Sequence, residues 1–141
     1  MTQKITVTAV LSTDLKTAWD AYTAPEHIVQ WNFASDDWHC PRATNDIRVG
    51  GTLNSRMEAK DGSMGFDFEA VYSDVIVHEV LGFDFSDGRH IETRFVAENG
   101  ATRVTTCFDA ETQHPIEMQQ QGWQAILDNY KRHAETISPT T

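Results

Sequence analysis

The C-terminal residues 115–137 show the clearest alternation of apolar and polar positions in the chain. Apolar residues recur there every three or four positions, which is the period of a helix with one buried face. Pro115 suits the start of a helix, and basic residues lie in its last turn. The pattern predicts an amphipathic helix of roughly 30 Å, long enough to cover a small sheet. Its apolar face holds Ile116, Trp123, Leu127, Tyr130, Ala134 and Ile137, with Gln120 as a polar member.

The N-terminal part predicts one strand followed by two short helices. A strand is expected where apolar residues alternate with more polar ones, at Ile5, Val7, Ala9 and Leu11. Ser12, Thr13 or Asp14 can cap the next helix, which places Leu15, Ala18, Trp19 and Tyr22 on one face. Pro25 then begins a second helix that carries Ile28 and Trp31 inward.

From Trp38 onward the chain predicts extended segments separated by tight turns. Asp61-Gly62, Asp87-Gly88 and Asn99-Gly100 tolerate the positive φ angles of hairpin turns, so neighbouring strands are expected to be antiparallel. The Gly50-Gly51 pair predicts a bend or bulge in a strongly curved sheet. The predicted strands cover residues 46–49, 52–59, 65–72, 75–85, 90–97 and 102–109.

Side chains of alternate residues point to opposite faces of a strand, so one face of this sheet is expected to be apolar. The opposite face holds mostly charged residues, among them Arg56, Glu58, Asp67, Glu69 and Glu92. One covered and one solvated face are typical of an antiparallel sheet. The predicted inward set is Leu53, Ser55, Met57, Phe66, Phe68, Ala70, Leu81, Phe83, Phe85, Ile91, Thr93, Phe95, Val104, Thr106 and Phe108.

Composition and charge narrow the class of protein. The 141 residues suit one domain, and a net charge of −10 makes nucleic acid an unsuitable partner. The sequence has no apolar run long enough for membrane insertion, and its start lacks the core of a secretion signal, so a cytoplasmic protein is expected. Cys40 and Cys107 lie far apart and are expected to be buried free thiols.

Three segments resemble bacterial stand-alone members of the heat-shock-protein-90 ATPase activator homologue (AHSA-type) family. They are residues 46–51 (DIRVGG), 66–72 (FDFEAVY) and 122–130 (GWQAILDNY), and the resemblance runs from about residue 5 to 135. That family belongs to the START-like, or helix-grip, superfamily, also called SRPBCC.

The resemblance implies an α+β helix-grip fold for a single domain covering residues 1–141. Its parts would be a curved antiparallel sheet of about six to seven strands, two short helices after the first strand, and a long C-terminal helix across the concave face. Family members usually carry glycine where this chain has Ala70, which would narrow the interior. Eukaryotic members also have a separate N-terminal chaperone-binding domain, for which this sequence has no counterpart.

The resemblance further implies a cavity between sheet and helix, and the predicted faces suggest its lining. Aromatic residues near the expected opening can stack on a flat ligand, and His39 can exchange a proton or hydrogen bond there. The candidate ligand-binding residues are Trp31, Trp38, His39, Met57, Phe68, Phe83, Phe85, Thr93, Phe95, Thr106, Trp123, Leu127 and Tyr130. The six histidines lack metal-ligand spacing and no nucleotide or nucleophile motif is present, so no metal and no cofactor are expected.

Three functions remain open on the sequence alone. The first is a binding protein for an apolar or aromatic small molecule. The second is an enzyme of the cyclase, aromatase or hydrolase kind with His39 and Tyr130 as candidate catalytic residues. The third is a protein-interaction module, associated with a chaperone, that uses the acidic outer face. The sequence specifies neither a ligand nor an oligomeric state.

Overall fold

A seven-stranded antiparallel sheet forms the body of the protein, of which this computed structural model describes residues 3–137. The strand order is β1-β7-β6-β5-β4-β3-β2, so strands β2 to β7 follow one another and β1 joins the far side of β7. The strands are β1 (Lys4–Leu11), β2 (Trp38–Asn45), β3 (Thr52–Ala59), β4 (Gly65–Ile76), β5 (Val80–Asp84), β6 (His90–Glu98) and β7 (Ala101–Asp109). The helices are α1 (Leu15–Thr23), α2 (Pro25–Trp31) and α3 (Ile116–Glu135). This α+β helix-grip layout confirms the predicted fold class.

The three predicted hairpin dipeptides all lie in turns between neighbouring strands. Gly62 and Gly88 have φ angles of 77° and 92°. Asn99 and Gly100 both have positive φ, at 52° and 82°, as the tightest two-residue hairpins require. The sequence therefore placed these strand boundaries correctly.

Two predicted strands were wrong. Residues 46–49 form a turn, in which Arg48 donates to the Asp46 carbonyl and Gly51 donates to the Arg48 carbonyl. Residues 75–85 divide into the end of β4 and the whole of β5, with His78 at φ 66° in the turn between them. The apolar residues 75–77 were taken as the interior of one strand. Val77 is in fact exposed in the turn, so its apolar side chain gave a misleading signal.

Strand β2 begins at Trp38 and forms one edge of the sheet. Its register against β3 shifts between His39 and Arg42, around Pro41. Proline lacks the backbone N–H that a ladder needs, so it is tolerated at an edge and at a bulge. The strand was missed because this irregular segment shows no regular alternation.

The long helix α3 packs along β1 and is held most firmly in its C-terminal half. Leu127, Tyr130 and Ala134 are buried, whereas Met118 near the other end is 58% exposed. The Tyr130 hydroxyl donates to the Ala18 carbonyl of α1 at 2.5 Å. The Asn129 side chain donates to the Phe33 carbonyl at 2.7 Å. These contacts fasten the C-terminal half of α3 to α1 and to the segment that follows α2.

Aromatic rings fill the space between α1, α2 and the sheet. Tyr22 lies edge-on to Phe95 and to Tyr130, with ring centroids 5.5 and 5.2 Å apart. Trp31 is buried, and its indole N–H donates to the Ala21 carbonyl at 2.8 Å. The interior around Phe95 and Tyr130 is therefore solid, whereas Tyr22 and Trp31 also border the cavity described below.

Within residues 3–137, no helix is long and apolar enough to cross a membrane.

Candidate functional site

A cavity of about 480 Å³ lies between the concave face of the sheet and the helices α2 and α3. We call it the inner chamber. Its volume lies within the range of about 300 to 1,000 Å³ that is usual for small-molecule sites. Its wall comes from the predicted inward face of the sheet and from the apolar stripe of α3. The apolar side chains lining it are Val7, Ile28, Trp31, Leu53, Met57, Phe66, Phe68, Phe83, Phe85, Trp123, Ile126 and Leu127.

A second cavity of about 440 Å³ adjoins the first, and we call it the outer chamber. It lies between the first turns of α3 and the loop before β2, and Trp38, His114 and Gln119 contribute to its wall. The residues that line both chambers are Met57, Phe66, Arg89, Trp123 and Ile126. Because these shared residues form the boundary, the two chambers are adjacent parts of one concave region.

Most of the predicted site residues line one of these chambers. The outer chamber includes Trp38, whose ring centroid lies 5.9 Å from that of Phe66. Phe66 was expected to face inward but is 48% exposed, because it is the second residue of β4 and lies at the open side of the cavity. The predicted residues in the inner chamber are Trp31, Met57, Phe68, Phe83, Phe85, Thr106, Trp123 and Leu127.

The structure places His39 away from both chambers. It follows Trp38 on β2 and points to the outer face of the sheet, where its Nε2 lies 3.8 Å from a Glu58 carboxylate oxygen. A hydrogen bond from Arg56 lowers the pKa of Glu58, so this carboxylate is ionised near neutral pH. The expectation that His39 faces the cavity is therefore corrected, since alternation along β2 turns it outward.

Thr93, Phe95 and Tyr130 also lie outside the cavity lining, in the solid part of the interior. Phe95 packs edge-on against Trp19 with ring centroids 5.2 Å apart. The Tyr130 hydroxyl is engaged by Ala18, as described above, and the Thr93 hydroxyl lies 2.9 Å from that of Thr106. These three residues pack behind the residues that line the cavity and do not form its surface.

Several polar lining residues were missed from the sequence. The Tyr72 hydroxyl donates to the Asn45 side-chain oxygen at 2.7 Å, and the Asn45 amide donates to the Thr23 carbonyl at 2.8 Å. The Tyr22 hydroxyl lies 3.1 Å from that of Thr93. Tyr72 could have been found, because it continues the even spacing of Phe68 and Ala70. The helical spacing placed Tyr22 on one face of α1 with Ala18 and Trp19, but it does not show that this face reaches the cavity. Asn45 ends the irregular strand β2, where no periodic signal applies.

Burial keeps the tyrosine hydroxyls of this region protonated. Burial raises the pKa of Tyr22, with hydrogen bonds to Thr93 and Thr106 acting in the opposite direction. Burial likewise raises the pKa of Tyr72 and of Tyr130. Near neutral pH these groups are therefore hydrogen-bonding hydroxyls and not bases.

The charged side chains near the cavity either point to the outer face of the sheet or lie where the two chambers meet. The Asp67 carboxylate lies 3.7 Å from Arg56, and Glu69 accepts a hydrogen bond from Asn54 at 2.7 Å. Since Arg56 and Asn54 belong to the outward face of β3, both carboxylates point away from the inner chamber. Arg89, after the β5 to β6 turn, lies at the boundary of the two chambers.

The described residues 3–137 contain no group of three or more histidine, cysteine or acidic side chains arranged to hold a metal ion. Cys40 is buried and Cys107 is half-buried, and both are free thiols. The residues that line the inner chamber are mainly aromatic and aliphatic; the others are hydroxyl-bearing residues, the two asparagines Asn32 and Asn45, and the charged residues Asp67, Glu69, Asp87 and Arg89. Such a surface suits an organic ligand.

Comparison with protein families gives one match that covers most of the chain. Residues 12–135 match the family described as Activator of Hsp90 ATPase homolog 1-like protein. The chain belongs to this family. Its START-like helix-grip fold agrees with the sheet and helices described above. No curated protein matches the chain.

Solved structures of other proteins have the same architecture. The AHSA1-like protein from Aeromonas hydrophila is 42% identical over 95% of this chain and 93% of its own, with a TM-score of 0.89. Chr148 from Cytophaga hutchinsonii is 40% identical over 94% of this chain and 92% of its own, with a TM-score of 0.82. Protein CV1439 from Chromobacterium violaceum is 18% identical over 94% of this chain and 98% of its own, with a TM-score of 0.84, which shows the fold alone.

The structure shows where the side chain of Ala70 lies. Ala70 is 2% exposed and lies opposite Leu53 in the sheet, so its methyl group points into the core. The sequence predicted this inward orientation. The methyl group therefore occupies interior space beside the inner chamber.

Proposed function

We propose that this AHSA1-like protein binds an apolar or aromatic small molecule in the inner chamber, as a carrier or sensor. The observation that carries this proposal is a cavity of about 480 Å³ whose wall is mainly aromatic and aliphatic. Well-packed interiors contain few voids larger than a water molecule, so a space of this size in a small domain suits an occupant.

The aromatic side chains around the chamber support one another and suit a flat ligand. Phe68 lies edge-on to Phe85 and Trp123, with ring centroids 4.9 and 6.4 Å apart. Phe83 is 2% exposed and lies edge-on to Tyr72 at 5.8 Å. Rings held in this way offer both faces and edges, which are the two surfaces that an aromatic ligand contacts best.

A buried hydroxyl supplies a specific polar contact for the ligand. Ser55 on β3 is 1% exposed and lines the inner chamber. A hydroxyl group can both donate and accept a hydrogen bond, and a few polar groups in an apolar wall fix the orientation of a ligand. We therefore expect a carbonyl or hydroxyl group of the ligand to bond to Ser55.

The geometry favours binding over an enzyme that uses His39 and Tyr130. Proton transfer requires a donor and an acceptor within hydrogen-bond reach of the ligand. His39 points to the outer face and the Tyr130 hydroxyl is bonded to Ala18. No feature of residues 3–137 favours the chaperone-associated alternative over a binding protein.

The test is a binding experiment with the apolar dye N-phenyl-1-naphthylamine. The dye should gain fluorescence when it binds in the apolar inner chamber. Ser55→Leu fills part of the chamber and should weaken dye binding at least tenfold. Thr44→Leu, on the exposed face of neighbouring strand β2, is the matched control and should leave the affinity unchanged.

Backbone amide NMR provides an independent measurement if a variant fails to fold. Added dye should shift the amide signals of Ser55, Thr106 and Trp123 more than those of the outward residues Arg94 and Val96. Native mass spectrometry of freshly purified protein should detect any retained ligand. The proposal fails if the dye and a panel of apolar compounds do not bind, or if the shifts lie elsewhere.

A further inference from the structure

The Arg89 side chain is held in a fixed position where the two chambers meet. Its guanidinium carbon lies 4.8 Å from the centroid of the Phe85 ring, as in a cation–π contact. Its Nε donates to an Asp87 carboxylate oxygen at 2.8 Å, and its backbone N–H donates to the other oxygen of the same carboxylate at 3.1 Å. The side chain is 31% exposed, so these contacts leave part of it accessible.

The remaining edge of the guanidinium is open. Within residues 3–137, neither Nη1 nor Nη2 of Arg89 has a protein acceptor. Arg89 is also the one lysine or arginine among the residues that line either chamber. A planar guanidinium with two free N–H donors matches the two oxygens of a carboxylate.

The other carboxylates near the boundary are turned away or already engaged. Asp67 and Glu69 point to the outer face, as described above. Glu111, in the outer chamber, accepts hydrogen bonds from the backbone N–H of His114 at 2.8 Å and from that of Gln113 at 3.1 Å. Its carboxylate also lies 2.9 Å from the His114 ring nitrogen Nδ1. Asp87 occupies the Nε edge and leaves the Nη edge free.

We propose that the ligand of this site is an acidic amphiphile, with its apolar body in the inner chamber and its carboxylate on Arg89 at the boundary. This inference rests on the proposed binding function and adds the charge of the ligand's head group. The outer chamber then accommodates the hydrated side of the carboxylate, next to His114 and Gln119.

The net charge of −10 opposes any anion at long range, but Arg89 acts locally. At physiological ionic strength the screening length is about 8 Å, so distant surface carboxylates contribute little at the boundary. Because Asp87 offsets part of the Arg89 charge, the preference for an acid is expected to be moderate, about fivefold to tenfold over a matched alcohol.

Three ligands with the same body test this inference: 6-phenylhexanoate, 6-phenylhexanol and 6-phenylhexylamine, each displacing N-phenyl-1-naphthylamine from the full chain at pH 7.5. The carboxylate should bind most tightly, the alcohol about fivefold to tenfold more weakly, and the ammonium most weakly. Arg89→Met should abolish the preference for the carboxylate while the alcohol binds as before. Arg94→Met is the matched control, because Arg94 pairs with Glu92 on β6 outside both chambers.

A second variant covers the case in which Arg89→Met does not fold. Asp87→Asn keeps an acceptor for the turn and removes the competing charge, so it should increase the preference for the carboxylate. The inference is overturned if the alcohol or the amine binds as tightly as the acid, or if neither variant changes the preference. If the dye and all three ligands fail to bind, the binding function itself is refuted and this inference with it, whereas alcohol binding without acid preference refutes this inference alone.

Discussion

The indole of Trp123 stacks on the phenyl ring of Phe108, with ring centroids 4.1 Å apart and planes inclined by 22°. Phe108 is buried on β7, so this pair joins α3 to the sheet. The same indole lines both chambers. One side chain therefore contributes to the free energy of unfolding and to the shape of the cavity.

We expect Trp123→Ala to lower the free energy of unfolding by about 2 kcal/mol, which is below the usual cost for a fully buried tryptophan because this one is half-buried. Urea denaturation followed by circular dichroism measures the change. Trp38→Ala is the control, since Trp38 lies on the edge strand and should cost less than Trp123. Equal costs for the two variants would contradict the role given to the stacked pair.

Tyr130→Phe should lower the free energy of unfolding by about 1 kcal/mol, because it removes the hydrogen bond to the Ala18 carbonyl. It should not change the affinity for N-phenyl-1-naphthylamine, since Tyr130 lies outside the cavity lining. Tyr72→Phe serves as the comparison, because the Tyr72 hydroxyl lies beside the inner chamber. A loss of dye binding in Tyr130→Phe at unchanged stability would show that the cavity extends farther than described.

Gly51→Ala should prevent stable folding or destabilise the protein severely. A Cβ atom at this position would approach the Asp46 carbonyl oxygen far inside van der Waals contact, and that oxygen belongs to the backbone of a tight turn. Gly122→Ala in α3 is the control, and it should stabilise the protein, because no atom lies within 4 Å of the added Cβ. Alanine favours a helix interior over glycine by about 1 kcal/mol, so this variant should melt at a higher temperature.

The histidine pair between α2 and α3 should make the protein less stable in mild acid. The His27 Nδ1 and His133 Nε2 atoms lie 2.9 Å apart, so one nitrogen must donate and the other accept. Burial, and secondly the charge of His27, lower the pKa of His133. The unfolded chain then binds more protons than the folded protein once the pH falls below the ordinary histidine pKa of about 6.5.

Stability should therefore decrease as the pH falls from 7.5 to 5.5, and His133→Gln should reduce this decrease. Urea denaturation of both proteins at the two pH values measures it. If the variant loses as much stability as the parent over this interval, the pair does not contribute in this way.

The parts of the fold that could be predicted were those in which apolar residues recur with the period of a helix or a strand. The helix face of Leu127 and Tyr130 and the alternation along β3, β6 and β7 identify buried positions directly, since burial follows the period of each element. The turn at His78 was missed because it uses positive φ without glycine or asparagine. The turn at 46–49 was missed because Ile47 and Val49 alternate with charged residues as in a strand, although both are exposed in the structure.

The candidate site was predictable where a strand or helix face forms its wall. Phe68 and Phe83 were found because the alternating pattern places them on the concave face. Arg89 follows a turn, so only the tertiary fold brings it beside α3. The position of His39 depends on where an irregular edge strand begins, and a shift of one residue reverses the direction of its side chain.

The helix α3 is attached to the rest of the protein mainly through its C-terminal half. Ligand exchange at its N-terminal half and global unfolding are therefore expected to be separate processes. Its buried anchors lie at Leu127, Tyr130 and Ala134, while the turns beside the outer chamber are largely exposed. Under the proposed binding function, a small outward displacement of those first turns would admit or release the ligand without breaking the anchors. The rate of ligand exchange is thus expected to be independent of the rate of global unfolding, and amide hydrogens near Met118 should exchange with solvent faster than those near Tyr130.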